Sequence, residues 1–293
     1  MIDGLPIVVI NRTMAYLAEI SRANPSCFVF LIDQSGSMQD PFGSVTGTKT
    51  KAMGVADAIN RLLQNLVIKC TKSEGIRDYY HVAVVGYGGK GVKPAFGGAL
   101  ENKTLIPVSE IGNNPYRLEE RRKKTEDSSG AVVEQTIRFP VWFEPVAYGG
   151  TPMNSALQQA TSIVVKWLAE HPHCFPPIVI NISDGESTDG DPFQSAYDLM
   201  TLSSTDGDVL LFNVHISSSN HQPIEYPDNE AVLPDQHAKL LFTMSSPLPD
   251  YMRKMVGNEG IDISYNTRGF VFNADLVSVI RFLDIGTRPS NMR

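Results

Sequence analysis

Five oxygen-bearing side chains stand in three short motifs of this 293-residue chain. Asp33, Ser35 and Ser37 lie in DQSGS, Thr151 ends GGT, and Asp184 lies in SDG. Two carboxylates and three hydroxyls form an all-oxygen ligand set, which suits Mg²⁺ or Mn²⁺, accommodates Ca²⁺, and does not suit zinc. Because the hydroxyls are neutral, a bound cation would retain affinity for one more anionic ligand from outside. The motifs therefore predict a divalent-metal site.

Each of these residues also has a simpler interpretation by itself. Asp33 and Ser35 could cap a turn, and Thr151 could cap the helix that follows it. A single DxSxS motif is weak evidence for a metal site. The hypothesis therefore depends on the occurrence of all three motifs in one chain.

The elements that position the motifs alternate between strands and helices. Apolar runs predict strands at 27–33, 81–87, 177–183, 208–216 and 268–273. Helices are predicted at 51–69, 152–169 and 274–285. The first is predicted from apolar residues at helical spacing, and the second has Thr151 in the N-cap position. This alternation predicts an α/β fold, doubly wound, with a mostly parallel central sheet flanked by helices. The motifs then meet at the carboxyl edge of the sheet, where such folds bind ligands.

In their order and spacing, DQSGS, GGT and SDG resemble the metal-ion-dependent adhesion site (MIDAS) of the von Willebrand factor A (vWA) domain family. The resemblance implies a vWA/Rossmann-like fold with the first strand central. It also implies that Ser35, Ser37 and Thr151 contact the metal directly, while Asp33 and Asp184 act through water and orient the hydroxyls. A partner's Asp or Glu would complete the shell, and binding rather than turnover is the family's usual activity.

The resemblance also suggests how the chain is organised. We predict one vWA-type domain over residues 1–293, with insertions at about 88–145 and 217–249. The first insertion contains a glycine-rich stretch, a charged run and an amphipathic extended piece, which predict a hairpin or small subdomain near Thr151. It is longer than the simple family pattern and could cover the metal face. The second is rich in Ser, Asn and Pro, which predicts irregular structure.

Composition narrows the class of protein. The net charge is -7 and the pI about 5.4, which makes a nucleic-acid partner unlikely on charge grounds. No apolar stretch approaches the ~18 residues that cross a bilayer. Three cysteines without CxxC spacing are typical of buried, reduced thiols in a cytoplasmic protein, and they are Cys27, Cys70 and Cys174.

Three further clusters of polar residues are open to two interpretations. We interpret the acidic stretch as a solvated loop rather than a second cation site; its residues are Glu186, Asp189 and Asp191. We interpret the HPHC stretch as a loop rather than a zinc site; its residues are His171, His173 and Cys174. We interpret the basic run as a solvated helical face; its residues are Arg117, Arg121, Arg122, Lys123 and Lys124.

Three functions are compatible with the sequence. The first is a metal-dependent protein-interaction module, a scaffold or regulator in a bacterial multiprotein stress-response or defence system. The sequence is similar to bacterial intracellular vWA proteins of the tellurium-resistance and stress-response type. The second is a non-catalytic vWA subunit of an ATPase or chelatase-type assembly. The third is a nucleic-acid-associated protein that binds through the basic run near Arg121. No catalytic constellation is recognised, so we expect no enzyme activity, no membrane partner, and a protein partner such as an ATPase, kinase or phosphatase.

Overall fold

The computed structural model describes residues 15–42, 49–126, 132–216 and 222–286. The other parts of the predicted domain and its insertions, at 1–14, 43–48, 127–131, 217–221 and 287–293, lie outside the described residues. The helices are α1 (Lys51–Cys70), α2 (Val108–Asn113), α3 (Met153–Glu170), α4 (Phe193–Thr201), α5 (Gln236–Thr243), α6 (Asp250–Asn258) and α7 (Leu276–Gly286).

The strands are short and numerous, and most of them belong to one sheet. They are β1 (Ser26–Gln34), β2 (Thr71–Lys72), β3 (Gly75–Ile76), β4 (Tyr80–Gly88), β5 (Gly91–Pro94), β6 (Ile106–Pro107), β7 (Arg117–Glu126), β8 (Val132–Val141), β9 (Ile178–Ser183), β10 (Ser203–Ser204), β11 (Gly207–Asp208), β12 (Leu210–Ile216), β13 (Ile224–Glu225) and β14 (Phe270–Ala274).

The main sheet has eight strands in the order β13-β14-β12-β9-β1-β4-β5, with β6 also paired to β4. The five strands from β14 to β4 run parallel, whereas β13, β5 and β6 are antiparallel at the margins. From β1 the chain crosses to β4 on one side and then returns to β9 on the other. The predicted doubly wound, mostly parallel α/β sheet is confirmed, and its winding direction reverses at β1.

The apolar core lies in two layers, one on each face of the sheet. Side chains alternate along β1, so that Phe28, Phe30 and Ile32 join one layer and Val29 and Leu31 the other. Helices α1, α2, α6 and α7 cover the first layer, and α3, α4 and α5 cover the second. Because both faces are covered, every residue of β1 is buried, which accounts for its unbroken apolar sequence.

The charged run of the first insertion is a strand and not the solvated helical face that its composition indicates. β7 pairs antiparallel with β8 from Arg117–Val141 to Glu126–Val132. Cross-strand pairing overrides the high helix propensity of Glu, Arg and Lys. The alternative prediction, a hairpin at this place in the chain, is confirmed, and we name the β7–β8 pair the arm.

The second insertion is more regular than its composition indicates. Its described part contains β13, a 3₁₀ turn at Glu230–Val232 and helix α5. Asp235 caps α5 by accepting a hydrogen bond from the Ala238 backbone N–H, and the apolar side of the helix covers the sheet. None of the described helices is both long enough and apolar enough to span a bilayer.

Candidate metal centre

The predicted site residues gather where the winding of the sheet reverses. Asp33 is the second-last residue of β1, Ser35 and Ser37 follow the strand, and Asp184 comes directly after β9. β1 and β9 are parallel neighbours, so their carboxyl ends open side by side. The topology therefore brings DQSGS and SDG together across 147 residues of chain, and Ser37 Oγ donates a hydrogen bond to Asp184 Oδ1 at 2.7 Å.

Asp33 is the buried anchor of the centre. Its side chain has no solvent exposure, and its two oxygens accept hydrogen bonds from the Ser35 backbone N–H and the Ser183 hydroxyl, each at 2.8 Å. Burial raises the pKa of Asp33 to about 6, against the opposing effect of hydrogen bonds from Ser35 and Ser183 and with a further increase from the charge of Asp184. An ionised Asp33 is therefore costly unless positive charge lies nearby.

The hydroxyls continue from Asp33 as a chain of contacts. Ser35 Oγ lies 3.0 Å from Ser37 Oγ, and Ser37 in turn binds Asp184. Ser35 is buried and Ser37 is exposed, so the chain runs from the core to the surface. A ligand that approached from solvent would meet Ser37 first.

Thr151 reaches the centre through a loop that is tied to β1 and β4 by backbone contacts. Gly36 donates its N–H to the Gly149 carbonyl at 2.8 Å, and Tyr148 donates its N–H to the Gln34 carbonyl at 2.7 Å. Gly149 has a φ of +78°, and a Cβ there would lie 2.3 Å from the Cα of Gly89. This close approach of two backbone segments explains why the GGT motif needs a glycine at position 149.

The space in front of the loop is shared by two of the predicted hydroxyls. A Cβ at Gly185 would lie 3.9 Å from Thr151 Oγ1 and 4.0 Å from Ser37 Oγ. The GGT and SDG motifs therefore face the same small volume. Sequence order, strand ends and loop contacts together bring all five predicted residues to one edge of the sheet.

Thr151 does not cap the helix that follows it, contrary to our prediction. α3 begins at Met153, and the carboxylate of Asp189 accepts hydrogen bonds from the backbone N–H groups of Asn154 and Ser155 at its start. Asp189 is a better partner than a hydroxyl for the positive end of a helix. Its hydrogen bonds leave the Thr151 side chain free of a capping role.

The acidic loop is therefore partly structural and not only solvated. Burial acts to raise the pKa of Asp189, but hydrogen bonds from Ser155, Ser187 and Asn154 together outweigh that effect and lower it. Asp191 accepts a hydrogen bond from the Phe193 backbone N–H at the start of α4, while Glu186 is exposed. No second cation site is indicated by these contacts.

Lys51 is a member of the centre that the sequence did not single out. It is the first residue of α1 and only 5% exposed, and its Nζ donates to Asp184 Oδ2 at 2.8 Å and reaches Asp40 Oδ2 at 3.4 Å. Lysines rarely lie buried without a charged partner. Nothing local in KTKAMG distinguishes this lysine from its neighbour Lys49, so only the fold identifies it.

A buried polar layer supports the centre from below. Tyr87 on β4 donates to Asn181 on β9 at 2.7 Å, and Asn181 donates to Asn213 on β12 at 3.0 Å. Burial and the charge of Asp33 raise the pKa of Tyr87. Beside the layer, His215 stacks on Phe272, and its burial together with the neighbouring His237 lowers the pKa of His215 to about 4. Tyr87 and His215 are therefore held in their neutral forms.

The remaining sequence clusters do not form sites of their own. His171 stacks on Trp167, His173 contacts the Thr205 hydroxyl, and all three cysteines are buried and free of disulfides. In the described part of the chain, no group of three or more His, Cys, Asp or Glu is arranged to hold a metal. A metal centre here must therefore draw on hydroxyl ligands.

The donor set fits a small hard cation. An octahedral Mg²⁺ with ligands at 2.0–2.1 Å separates neighbouring oxygens by about 2.9 Å. Ser35 Oγ, Ser37 Oγ and Asp184 Oδ1 are spaced by 3.0 and 2.7 Å, within a few tenths of an ångström of that value. The fully buried Asp33 adds a carboxylate whose charge lacks a cationic hydrogen-bond partner among its described contacts.

Similarity to known proteins is found at the level of structure. No family model matches the chain, and no curated protein matches it by sequence. Solved structures similar to it include the three N-terminal domains and the vWF domain of the type V pili tip protein Mfa5 from Porphyromonas gingivalis, and the pilus adhesin RrgA from Streptococcus pneumoniae. Identities are 16%, 15% and 14%, and each TM-score is 0.31.

These alignments are partial in both directions. They cover 56%, 56% and 58% of this chain, and 20%, 39% and 21% of the respective solved chains. The chain therefore corresponds to well under half the length of each. The fold is established by the strand order and the parallel register described above.

Proposed function

We propose that the chain is a vWA-type module that binds Mg²⁺ or Mn²⁺, with Ca²⁺ as a weaker fit, and uses the ion to capture an Asp or Glu of a partner protein. The ligands would be Asp33, Ser35, Ser37, Thr151 and Asp184. The observation that carries the proposal is the row of three oxygens Ser35 Oγ, Ser37 Oγ and Asp184 Oδ1, whose neighbours lie 3.0 and 2.7 Å apart beside the buried carboxylate of Asp33.

Each protein group has a distinct part in this function. A bound cation would supply a point of positive charge that accepts a carboxylate. Asp33 holds the Ser35 backbone in place, Ser183 fixes Asp33, and the glycine contact between Gly149 and Gly89 holds the Thr151 loop. Ser37 is exposed, so a partner's side chain would approach the metal from its side.

The charge of the arm favours protein binding over nucleic-acid binding. Arg117 pairs with Glu119 and Glu144, and Arg121 pairs with Asp57 and Glu119. Arg122 lies 3.6 Å from Glu134, and the side chains of Lys123 and Lys124 lie outside the described part. Arginines that are already paired contribute little to phosphate binding.

Binding rather than catalysis is the activity that the contacts favour. Ser35 and Ser37 hydrogen-bond to each other, and Ser37 donates to Asp184; neither of these contacts supplies a histidine that could activate the hydroxyls. We therefore propose a non-enzymatic scaffold or regulator of a bacterial multiprotein system, located in the cytoplasm. An ATPase, kinase or phosphatase of the same system is the class of partner we expect.

The first test is calorimetric titration of the purified protein with Mn²⁺ and Mg²⁺. We expect binding by the wild type and a loss of at least about tenfold in affinity for Ser37→Ala and for Thr151→Ala. Thr161→Ala is the matched control, because that hydroxyl binds only the Leu157 carbonyl within α3. Absence of cation binding by the wild type would overturn the proposal.

The second test concerns the partner. Affinity capture from the native host should retain a defined set of proteins in Mg²⁺ and release them in EDTA. Ser37→Ala should lose the same proteins, and Thr161→Ala should retain them. If these proteins bind equally in EDTA, the metal is not the docking element.

A further inference from the structure

Lys51 places a positive charge inside the candidate metal centre. Its side chain is 7% exposed, and its ammonium contacts the Asp184 carboxylate, which has no solvent exposure. The second contact, to Asp40, is longer and reaches a carboxylate that is 57% exposed. The buried partner is therefore Asp184, and the pair is held in place because either charge alone would be costly to bury.

Both oxygens of Asp184 are engaged in this arrangement. Oδ1 accepts from Ser37, and Oδ2 accepts from Lys51. A cation that bound among Ser37, Thr151 and Asp184 would therefore lie close to the ammonium. Two positive charges at such a distance repel each other strongly, and burial reduces the screening by solvent.

The charges of the buried groups can be added. Asp33 and Asp184 contribute two negative charges and Lys51 one positive charge, which leaves one negative charge in the protein alone. A divalent cation converts this to one positive charge, and a single carboxylate from a partner then restores neutrality. Without Lys51, the cation by itself would neutralise the two carboxylates.

We infer that Lys51 is an internal counter-ion which weakens cation binding in the free protein and couples it to the arrival of a carboxylate. This inference rests on the proposed metal-dependent capture and concerns its regulation. The lysine holds Asp184 in the metal-free protein, and it leaves the metal-loaded centre positively charged until a partner's Asp or Glu binds. The cation and the carboxylate then bind cooperatively.

The decisive experiment compares Mn²⁺ affinity in the wild type and in Lys51→Met, a variant of similar length without charge. Even at the dielectric constant of water, a unit charge about 5 Å from a divalent cation changes its binding roughly tenfold. We expect Lys51→Met to bind Mn²⁺ at least about tenfold more tightly, and Lys51→Arg, which retains the charge, to show no such gain.

The same titrations in sodium acetate test the coupling. Acetate should strengthen Mn²⁺ binding to the wild type more than to Lys51→Met. Equal or weaker Mn²⁺ binding by Lys51→Met overturns the inference while leaving the proposed function intact. Failure of both proteins to bind Mn²⁺ overturns both.

A measurement on the wild type covers the case in which Lys51→Met does not fold. Lysine labelled with ¹⁵N should give one ammonium resonance protected from solvent exchange in EDTA, absent from the spectrum of Lys51→Arg. Saturating Mg²⁺ should shift it or remove its protection. A resonance that is unchanged at saturation would show that the ammonium does not sense the bound cation, and the inference would fail.

Discussion

Helix α1 takes part in two clusters of charged residues that balance their charges differently. At its start, Lys51 pairs with Asp184 in the candidate metal centre, which holds one buried cation and the two buried carboxylates of Asp33 and Asp184. Farther along, α1 meets the arm in an arm cluster of four cations and three carboxylates, made up of Lys49, Asp57, Arg61, Arg117, Glu119, Arg121 and Glu144.

The pKa shifts of the carboxylates separate the two clusters. Burial opposes ionisation of Asp57, but hydrogen bonds from Arg61 and Arg121 outweigh it and lower its pKa. In the candidate metal centre, burial dominates and raises the pKa of Asp33 to about 6. In the arm cluster, arginines pair with the carboxylates, so the negative charge is balanced within the protein and the arm is held against α1. A cluster with unbalanced buried negative charge retains the capacity to bind a cation.

The largest expected effect comes from Asp33→Asn. A raised pKa means that the folded protein favours neutral Asp33, so its stabilising effect is present at low pH and is lost as pH rises through about 6. At pH 7 in EDTA, Asn should therefore increase the free energy of unfolding by about 2 kcal/mol. Cation affinity should fall by about a hundredfold or more, since a charged ligand is lost.

Urea unfolding in EDTA and in Mg²⁺ measures both effects for Asp33→Asn. Mg²⁺ should stabilise the wild type and leave the variant unchanged. A variant that is less stable than the wild type in EDTA would show that Asp33 is already balanced within the protein, and the contrast with Asp57 would disappear.

His215 tests the same edge of the sheet by pH. Because its folded-state pKa is lowered to about 4, its contribution to stability is present above the unfolded pKa near 6.5 and is lost as pH falls through the folded pKa. Between pH 7 and 5 the wild type should lose about 2 kcal/mol through this residue.

His215→Gln, which keeps an acceptor for the Asn273 N–H, should lose correspondingly less over the same interval. The ring of His237 faces that of His215, so the His237→Gln variant serves as a comparison. The charges of Asp184, Asp235 and Lys51 also act on His215, at longer range. Identical pH dependence of the wild type and His215→Gln would count against a neutral imidazole at this edge.

Asp57→Asn should act in the opposite direction to Asp33→Asn. Asp57 accepts from Arg61 at 3.0 Å and from Arg121 at 2.5 Å, and it is the carboxylate that connects α1 to the arm. Its neutralisation should destabilise the protein by about 1.5 kcal/mol, less at high salt. Chemical denaturation at two salt concentrations measures the change, and a stabilising effect would remove the distinction between the clusters.

The smallest effect is expected from Arg122→Ala, farther along the arm. Its guanidinium lies 3.6 Å from Glu134, and the two side chains are 78% and 50% exposed. Exposed pairs contribute little, so the free energy of unfolding should change by less than about 0.5 kcal/mol. A larger loss would mean that the outer part of the arm also contributes to the fold.

Much of the sheet was predictable because its strands are read from local patterns. The apolar run at 27–33 becomes β1 (Ser26–Gln34), and the run at 177–183 becomes β9 (Ile178–Ser183). The arm was harder, since the charges of β7 suit a helix surface as well as a strand, and only pairing with β8 decides between them. The sequence predicts Thr151 as the N-cap of α3, but Asp189, 38 residues later, accepts the hydrogen bonds at the start of that helix instead.

The sequence by itself determined the set of candidate oxygen ligands and the edge of the sheet at which they lie. Motifs that follow buried parallel strands must meet at the carboxyl edge, whatever the details of packing. Only the tertiary structure decided which charges stand beside them. Lys51 and Asp184 are separated by 133 residues, and no local pattern records that the first turn of α1 packs against the end of β9. Charge balance depends on such long-range contacts, and so does the capacity of the centre to bind a cation.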